Sequence, residues 1–205
     1  TGQYSVMSYF FSGVNTGAYF MGQYASTPQI IDIAAIQNIY GANTATRSGD
    51  TVYGVGTNAG PTYDFVANTR PVVTIWDGGG NDAINVSNYA SSQTIDLREG
   101  NFSSIYGLTN NLAIAVGAVI ENAVGGSGAD TIYGNAGANF LSSGLGNDRL
   151  FGFEGRDKLI GGGGNDILDG GLDLDTAVVG GLRSAWSLTG TGLSCLAPLV
   201  NVISL

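Results

Sequence analysis

The sequence predicts a mostly β fold: a parallel β-roll of nonapeptide repeats, preceded by a β-sandwich-like part and one N-terminal helix. The first observation is a run of six nine-residue segments that begins at Gly125 and ends at Val178 without a change of frame. The second is a count of 34 glycines in 205 residues, more than twice the usual share of about 7%. The third is a hydrophobic content of 43% with only 4 prolines, which argues against a disordered linker.

A helix is predicted over residues 28–40. Thr27 is a suitable N-cap, Pro28 fits the first helical position, and Gly41 fits the residue that ends the helix. The residues expected on one packing face recur at helical spacing, and they are Ile33, Ile36 and Tyr40. We interpret this helix as a packing element.

Short β-strands are predicted between the helix and the repeats. Apolar stretches mark three of them, at Val72–Trp76, Thr94–Leu97 and Leu112–Ile120. The first stretch is followed by an early copy of the repeat, Asp77-Gly-Gly-Gly-Asn-Asp82-Ala-Ile84. Alone, this copy could be an ordinary hairpin connection. Because it matches the register of the later repeats, we expect it to bind calcium as well.

The repeats from Gly125 to Val178 alternate an acidic and an apolar position. Position six holds Asp130, Asn139, Asp148, Asp157, Asp166 and Asp175. Position eight holds Ile132, Leu141, Leu150, Leu159, Leu168 and Ala177. Glycines permit a tight turn whose carbonyls point inward, and the last three residues of each repeat form a short strand. The side chain at position eight is therefore expected to fill the core.

Alternate repeats are expected to stack on the same side of the roll, because each nonapeptide makes half a turn. One ladder then holds Asp130, Asp148 and Asp166, and the other holds Asn139, Asp157 and Asp175. Bare carboxylates in a ladder repel, whereas hard cations that bind six to eight oxygens would hold them together. The pattern is the Gly-Gly-x-Gly-x-Asp-x-U-x calcium repeat of RTX proteins. Several Ca²⁺ ions are therefore the predicted ligands.

Three departures from the repeat weaken single sites but not the whole array. Asn139 lacks a charge, Ser143 replaces a first glycine, and Asp173 replaces a fourth glycine. The ladder through Asp130 is therefore expected to bind calcium best. The alternative is a flexible glycine-rich loop with solvated acids, which is disfavoured because six in-register copies rarely arise from composition alone.

The charge balance and the missing residue types exclude several functions. With 7 basic and 16 acidic residues the net charge is −9, so a nucleic-acid partner is excluded for lack of a basic patch. Histidine is absent, which excludes Ser-His-Asp catalysis and His-ligated metals in this chain.

The single cysteine, Cys195, permits no internal disulfide, so a secreted protein would need another stabilising element such as Ca²⁺. No signal peptide or membrane span is visible, and the start at Thr1 suggests processing or truncation.

Several motifs, taken in order, resemble one protease family. The segment Ser5-Val-Met7-Ser-Tyr9 looks like the Met-turn of metzincin zinc proteases. Together with the helix, Arg47–Gly54, Ile75–Asp82 and Ile120–Ala123, it resembles the serralysin family from about residue 3 to residue 178. In that family an upstream HExxHxxGxxH helix supplies three zinc-binding His residues and the catalytic Glu, and this chain contains no such helix. The resemblance therefore implies the C-terminal portion of a secreted zinc metalloprotease.

The same resemblance implies a set of site residues. Tyr9 would ligate zinc in the resting enzyme and act catalytically by stabilising the oxyanion, and Zn²⁺ itself belongs only to the complete parent enzyme. One calcium site would use Arg47, Gly49, Thr51, Asp77, Gly79 and Asp82, and its neighbour would use Gly80, Asp82, Val119 and Glu121. In the repeats the predicted calcium ligands are Gly126, Gly128, Asp130, Asn139, Gly144, Gly146, Asp148, Asp157, Gly161, Gly163, Asp166 and Asp175.

The resemblance also implies a division of the chain and a function. Residues 1–45 would be the remnant of the catalytic domain, and residues 46–205 the calcium-binding RTX domain. It implies protein substrates, an N-terminal catalytic chain as partner, and type I-like export to the extracellular space, with this chain inactive by itself. The tail Leu193–Leu205 departs from the family's acidic export signal.

The alternative function is a stand-alone RTX module for secretion, folding or adhesion. The Met-turn counts against it, because such a module would not need one. A surface for adhesion would also need exposed aromatic platforms. Tyr133, Phe151 and Trp186 are expected to be too few and too scattered for that purpose.

Overall fold

The computed structural model describes residues 25–178 and the strand at 202–204. One α-helix, α1 (Ile30–Tyr40), is followed by strands of two or three residues and by a 3-10 turn at Pro61–Tyr63. The strands are β1 (Val52–Gly54), β2 (Val73–Ile75), β3 (Ala83–Asn85), β4 (Thr94–Asp96), β5 (Phe102–Ser103), β6 (Leu112–Ile114), β7 (Asn122–Val124), β8 (Thr131–Tyr133), β9 (Phe140–Ser142), β10 (Arg149–Phe151), β11 (Lys158–Ile160), β12 (Ile167–Asp169), β13 (Thr176–Val178) and β14 (Val202–Ser204). The mostly β prediction is confirmed.

The strands of the repeats form two sheets in which every second repeat is a neighbour. One sheet has the order β1-β3-β7-β9-β11-β13-β14, and the facing sheet has the order β12-β10-β8-β4. Pairing between repeats is parallel, with Leu150 opposite both Ile132 and Leu168. The predicted half turn per nonapeptide, and with it the parallel β-roll, is confirmed.

The core of the roll is a single row of apolar side chains between the two sheets. Ile132, Leu141, Leu150 and Leu159 are fully buried, as position eight of the repeat predicts. Leu168, on the edge strand β12, is only partly buried. One hydrophobic cluster continues from this row into the preceding segment.

The segment before the repeats adds a third sheet, with the order β2-β6-β5. This sheet continues the four-stranded sheet of the roll, because Thr94 in β4 and Ser104 next to β5 exchange main-chain hydrogen bonds of 2.9 and 2.8 Å. Its core is wider than that of the repeats, because it contains rings as well as branched aliphatic side chains. Tyr53 and Tyr63 meet edge to face, with their ring centroids 5.0 Å apart. This agrees with the β-sandwich-like part expected from the sequence.

The predicted start and packing face of the helix were wrong. The N-cap is Gln29, whose N–H donates to the Asp32 carboxylate at 2.8 Å. Thr27 is not available as a cap, because its hydroxyl accepts the N–H of Thr74 in β2 at 2.7 Å. Gly41 ends the helix with a φ of 81°, as expected. The supposed packing face is largely solvent-exposed at Ile36 (57%) and Tyr40 (80%), and the buried residue of α1 is Ile30 in its first turn.

The apolar stretch from Leu112 to Ile120 is not one strand. Strand β6 ends at Ile114, and the N–H of Ala118 then bonds to the carbonyl of Ala115 at 3.1 Å. Gly117, with a φ of 88°, makes this turn possible. The turn brings the chain from the three-stranded sheet to β7 in the roll.

Candidate metal sites

The position-six side chains form two continuous columns inside the turns of the roll. In the column along β8, β10 and β12, Oδ1 of Asp148 accepts the N–H of Asp130 at 2.7 Å. Oδ1 of Asp166 accepts the N–H of Asp148 at 3.0 Å in the same way. In the column along β9, β11 and β13, the N–H of Asp157 donates to Oδ1 of Asp175 at 2.9 Å. Each carboxylate therefore caps the backbone of the layer before it, and the predicted ladders are present.

The second oxygen of several of these carboxylates has no partner. Oδ2 is buried without a hydrogen bond in Asp82, Asp148, Asp157 and Asp166. A buried carboxylate oxygen without a partner is costly, and such groups are normally paired or bound to a metal. These oxygens therefore fit a cation.

The turns beside the carboxylates supply main-chain oxygens. A Cβ atom on Gly144 would overlap the carbonyl oxygen of Gly126, and one on Gly146 would overlap that of Gly128. Gly164 repeats this packing on the carbonyl of Gly146. Among the described residues, no three His, Cys, Asp or Glu side chains converge on one metal position. A cation in these columns would therefore need main-chain carbonyls as well, and the donor set of carboxylate and carbonyl oxygens is that of calcium.

The predicted glycine ligands of the third and fifth repeats lie in the same stack of turns. The N–H of Gly163 donates to the carbonyl of Gly144 at 2.9 Å, and the carbonyl of Gly163 accepts the N–H of Gly146 at 2.8 Å. The carbonyl of Gly161 accepts the Ser143 hydroxyl at 2.8 Å. Carboxylates lie beside two of these glycines, because a Cβ atom on Gly161 would overlap Oδ2 of Asp166 and one on Gly146 would overlap Oδ1 of Asp148.

The early copy of the repeat brings a second group of predicted ligands together. Oδ1 of Asp82 accepts the N–H of Thr51 at 2.7 Å, and the N–H of Asp82 donates to Oε2 of Glu121 at 2.7 Å. The main chain of Gly80 packs directly against Gly49. Thus Gly49, Thr51, Gly80, Asp82 and Glu121 share one region.

Asp77 and Arg47, two further predicted ligands, are engaged by other groups. Asp77 accepts the Tyr53 hydroxyl at 2.6 Å through Oδ2 and the Gly79 N–H at 2.9 Å through Oδ1. The Arg47 guanidinium donates to the Trp76 carbonyl at 2.6 Å and lies over the ring of Tyr63. Any contribution of Arg47 to a metal site would come from its carbonyl. Val119 has an exposed side chain, so it too could act only through its main chain.

Burial and crowding raise the pKa values of these acids. Desolvation, followed by the neighbouring carboxylate of Asp175, raises the pKa of Asp157 to about 6, although the N–H of Asn139 opposes the shift. Desolvation, with Asp77 and Glu121 nearby, raises the pKa of Asp82 to about 7. A raised pKa means that the ionised form is disfavoured, and a bound cation would reverse that preference.

The pKa is raised, again chiefly by burial, for three other position-six residues: Asp130, Asp166 and Asp175.

The contacts of three polar side chains at these sites were not predicted from the sequence. Tyr53 binds Asp77, Ser143 binds the turn carbonyl of Gly161, and Asn135 binds the carbonyl of Ile120 at 2.8 Å. Ser143 and Asn135 both stand at positions where other repeats have glycine, and this signal was readable from the sequence. Tyr53 gave no such signal. Tyr9 and Met7 lie outside the described residues.

Of the three aromatic residues that were expected to be scattered, Tyr133 and Phe151 are neighbours, and Trp186 lies outside the described residues. Tyr133 and Phe151 are stacked, with ring centroids 5.3 Å apart and an interplanar angle of 12°. The Arg98 guanidinium lies 5.1 Å from the ring centroids of both Tyr133 and Phe153. Each of these rings thus has a face covered by another ring or by Arg98, which disfavours an open binding platform. Within the described part of the chain, no helix is long and apolar enough to cross a membrane.

Comparisons with known proteins agree with this architecture. The family model described as Peptidase M10 serralysin C terminal matches residues 42–174. Serralysin of Proteus mirabilis is 48% identical over 141 residues, covering 68% of this chain and 28% of the relative. Metalloprotease AprA of Pseudomonas entomophila is 53% identical over 146 residues, covering 67% of this chain and 30% of the relative. The chain thus spans less than a third of the length of these relatives.

Proposed function

Because the chain belongs to the serralysin C-terminal family of the M10 peptidases, we propose that it is the calcium-binding part of a secreted zinc metalloendopeptidase that hydrolyses proteins. One observation carries the proposal: the buried, unpaired Oδ2 atoms of Asp148, Asp157 and Asp166, stacked beside turns of main-chain carbonyls. Residues 1–45 would then belong to the catalytic domain, and residues 46–205 would form the calcium-binding domain.

Calcium would be held by the two columns and by the early copy. In the columns the side-chain donors are Asp130, Asp148 and Asp166 on one side and Asp157 and Asp175 on the other. The amide of Asn139, which was also predicted as a ligand, is engaged by Asn135 and by the Glu121 carbonyl. The early copy offers Asp82 and Glu121, with carbonyls from the turn at Gly49. Bound calcium supplies positive charge and accepts six to eight oxygen ligands, so it stabilises the ionised carboxylates in the folded chain. The chain's own residues bring these carboxylate and carbonyl oxygens together only when the turns of the roll are folded.

This chain does not supply a zinc site by itself. Catalytic zinc sites use three protein ligands, commonly His with a carboxylate, and the sequence contains no His. Tyr9, the zinc ligand and oxyanion donor implied by the family, cannot substitute for those ligands. Protein hydrolysis, Zn²⁺, protein substrates and an N-terminal catalytic part are therefore proposed for the complete protein, with export to the extracellular space. The isolated chain is proposed to be inactive.

The alternative of a stand-alone adhesive module has less support. It would need ligand-facing aromatic rings, and the rings of Tyr133, Phe151 and Phe153 are stacked with one another and with Arg98. A stand-alone module for folding or secretion would share the calcium sites but would have no catalytic partner. Co-purification of a His-containing chain from the natural source separates the two functions.

The proposal is tested by thermal unfolding of the purified chain in EDTA, in millimolar Mg²⁺ and in millimolar Ca²⁺. Calcium should raise the melting temperature by more than 10 °C, because metal binding energy becomes folding energy. Magnesium should do little, since it prefers a rigid octahedral shell and keeps its waters. Equal melting temperatures in all three buffers would refute calcium binding.

A further inference from the structure

The column along the seven-stranded sheet has one step that differs from the others. In the other steps, a carboxylate accepts an N–H from the previous layer. Asp82 accepts from Thr51, Glu121 from Asp82, Asp157 from Asn139, and Asp175 from Asp157. Between the layers of Glu121 and Asn139, the direction is reversed. The Asn139 side-chain Nδ2 donates to the main-chain carbonyl of Glu121 at 3.1 Å.

A second amide reinforces this step. Asn135 Nδ2 donates to the carbonyl of Ile120 at 2.8 Å, and Asn135 Oδ1 accepts Nδ2 of Asn139 at 3.1 Å. Oδ1 of Asn139 accepts the N–H of Asn135 at 2.8 Å. The two amides thus link each other to two consecutive carbonyls of the preceding segment. The carbonyls of Ile120 and Glu121 therefore each accept an N–H from a side-chain amide of the second repeat.

In the opposite column, both carboxylate oxygens of the first repeat residue, Asp130, are hydrogen-bonded. Oδ1 of Asp130 accepts the N–H of Gln93 at 2.8 Å, and Oδ2 accepts the N–H of Gly126 at 2.9 Å. One layer further along, Oδ2 of Asp148 and Oδ2 of Asp157 are both buried without a partner. In the first repeat of each column the side-chain oxygens are therefore paired by protein N–H groups, and within the repeat array the buried oxygens without a partner begin with the second layer.

We propose that Asn135 and Asn139 form a calcium-independent joint, which attaches the first turn of the array to the preceding segment through amide hydrogen bonds. The inference rests on the proposed calcium binding and adds where calcium dependence begins. The joint is uncharged, so removing calcium leaves no repulsion between β7 and β9. Strand β9 stays paired with β7 at calcium concentrations too low to hold β11 in place. Folding outward from this joint then has a fixed starting point.

Hydrogen exchange across a calcium titration of the full 205-residue chain tests the joint. In the wild type, protection of Phe140–Ser142 should persist to at least about tenfold lower calcium than protection of Lys158–Ile160, because the two amide hydrogen bonds hold the former strand independently of calcium. In Asn139→Asp, the new carboxylate faces the Glu121 carbonyl without a donor. The two strands should then lose protection at the same calcium concentration.

Asp157→Asn is the matched control, because it makes the inverse isosteric change one layer further along. Calorimetric titration should find less calcium bound to this variant, while exchange of Phe140–Ser142 in EDTA stays as in the wild type. Equal calcium dependence of the two strands in the wild type would overturn the joint alone. Undiminished calcium binding by Asp157→Asn would instead overturn the calcium assignment on which the joint rests.

A third variant distinguishes the effect of losing an amide hydrogen bond from the effect of adding a negative charge. Asn135→Ala removes the donor to Ile120 without adding a carboxylate, so it should bring the loss of Phe140–Ser142 protection closer to that of Lys158–Ile160 and leave calcium stoichiometry unchanged. Unaltered protection in this variant would contradict a role for Asn135 in the joint.

Discussion

The repeat array (residues 125–178) and the preceding segment (residues 42–124) bury their apolar side chains in different ways. The preceding segment packs large side chains from several directions, including Tyr53, Phe65 and Ile75. The array buries one row with a single side chain per strand, such as Leu150 and Leu159. A buried Leu contributes about 2 kcal/mol, roughly the entropic cost of fixing one or two residues. The array therefore needs a further source of stability, and its unpaired carboxylate oxygens indicate that this source is a cation.

The largest expected difference between the two regions is their resistance to proteolysis after calcium is removed. In EDTA, chymotrypsin should cut first after array residues such as Leu150 and Leu159, because the carboxylates of Asp148 and Asp157 then repel their neighbours. The core around Phe65 should be cut later, since it depends on apolar packing. Mass spectrometry of the early fragments identifies the cut sites, with the calcium-bound chain as control. First cuts in residues 42–124 would contradict the comparison.

The close stacking of turns should make the array less tolerant of added side chains. In Gly146→Ala the new Cβ would overlap the Gly128 carbonyl at a φ of 135°, so unfolding free energy in calcium should fall by about 3 kcal/mol. Gly56→Ala is the matched control in the preceding segment, because its φ is 78° but nothing lies within 4 Å of the added atom. That change should cost about 1 kcal/mol. Denaturant unfolding of both variants measures the difference, and equal losses would show that the turns can separate.

Calcium binding should depend more on the charged side chain in the middle of a column than on the uncharged Asn139. Asp148→Ala removes a buried carboxylate that lies between Asp130 and Asp166, so calorimetry should detect fewer bound calcium ions than in the wild type. Asn139→Ala removes an amide without charge and should reduce calcium binding less. The same loss of stoichiometry in both variants would contradict the assignment of the strongest sites to the column of Asp148.

The smallest expected effect is a pH dependence of the calcium-free chain. The pKa of Asp157 is raised by burial to about 6 in the folded chain, above its ordinary value of 3.8. Between these two values the folded state binds more protons than the unfolded state, so stability falls as pH rises. In EDTA the melting temperature should therefore be a few degrees higher at pH 5 than at pH 7.5. Asp157→Asn should weaken this dependence, and a melting temperature that rises with pH would contradict it.

The sequence allowed the array to be predicted more fully than the rest of the fold. A repeat of fixed length determines its own register, so the frame from Gly125 predicted the strands, the buried Leu150 and the two columns. Outside the array, short-range signals were overruled by distant partners. Thr27 has a good N-cap side chain, but it is held by Thr74 in β2. The turn at Gly117 divides the apolar stretch from Leu112 to Ile120, which hydropathy alone could not reveal.

The candidate sites show the same limit. Position six identified the carboxylates, since their spacing alone requires them to stack. It did not show which oxygens are paired, because that depends on the direction in which each side chain turns. Asn139 was recognised as uncharged, but its hydrogen bonds to Glu121 and Asn135 required the three-dimensional structure. The stacking of Tyr133 on Phe151 follows from the register of β8 and β10, and the repeat frame already contained that information.

Diffraction from crystals grown with calcium shows whether the buried carboxylate oxygens are cation ligands. We expect an anomalous peak within about 2.3–2.6 Å of Oδ2 of Asp148, and another at the same distance from Oδ2 of Asp157, each also contacted by turn carbonyls. Data from crystals of the same form soaked in EDTA supply the control, and these peaks should be lost. Columns in which both Oδ2 atoms bind only water or protein donors at millimolar calcium would contradict the claim that these carboxylates are cation ligands.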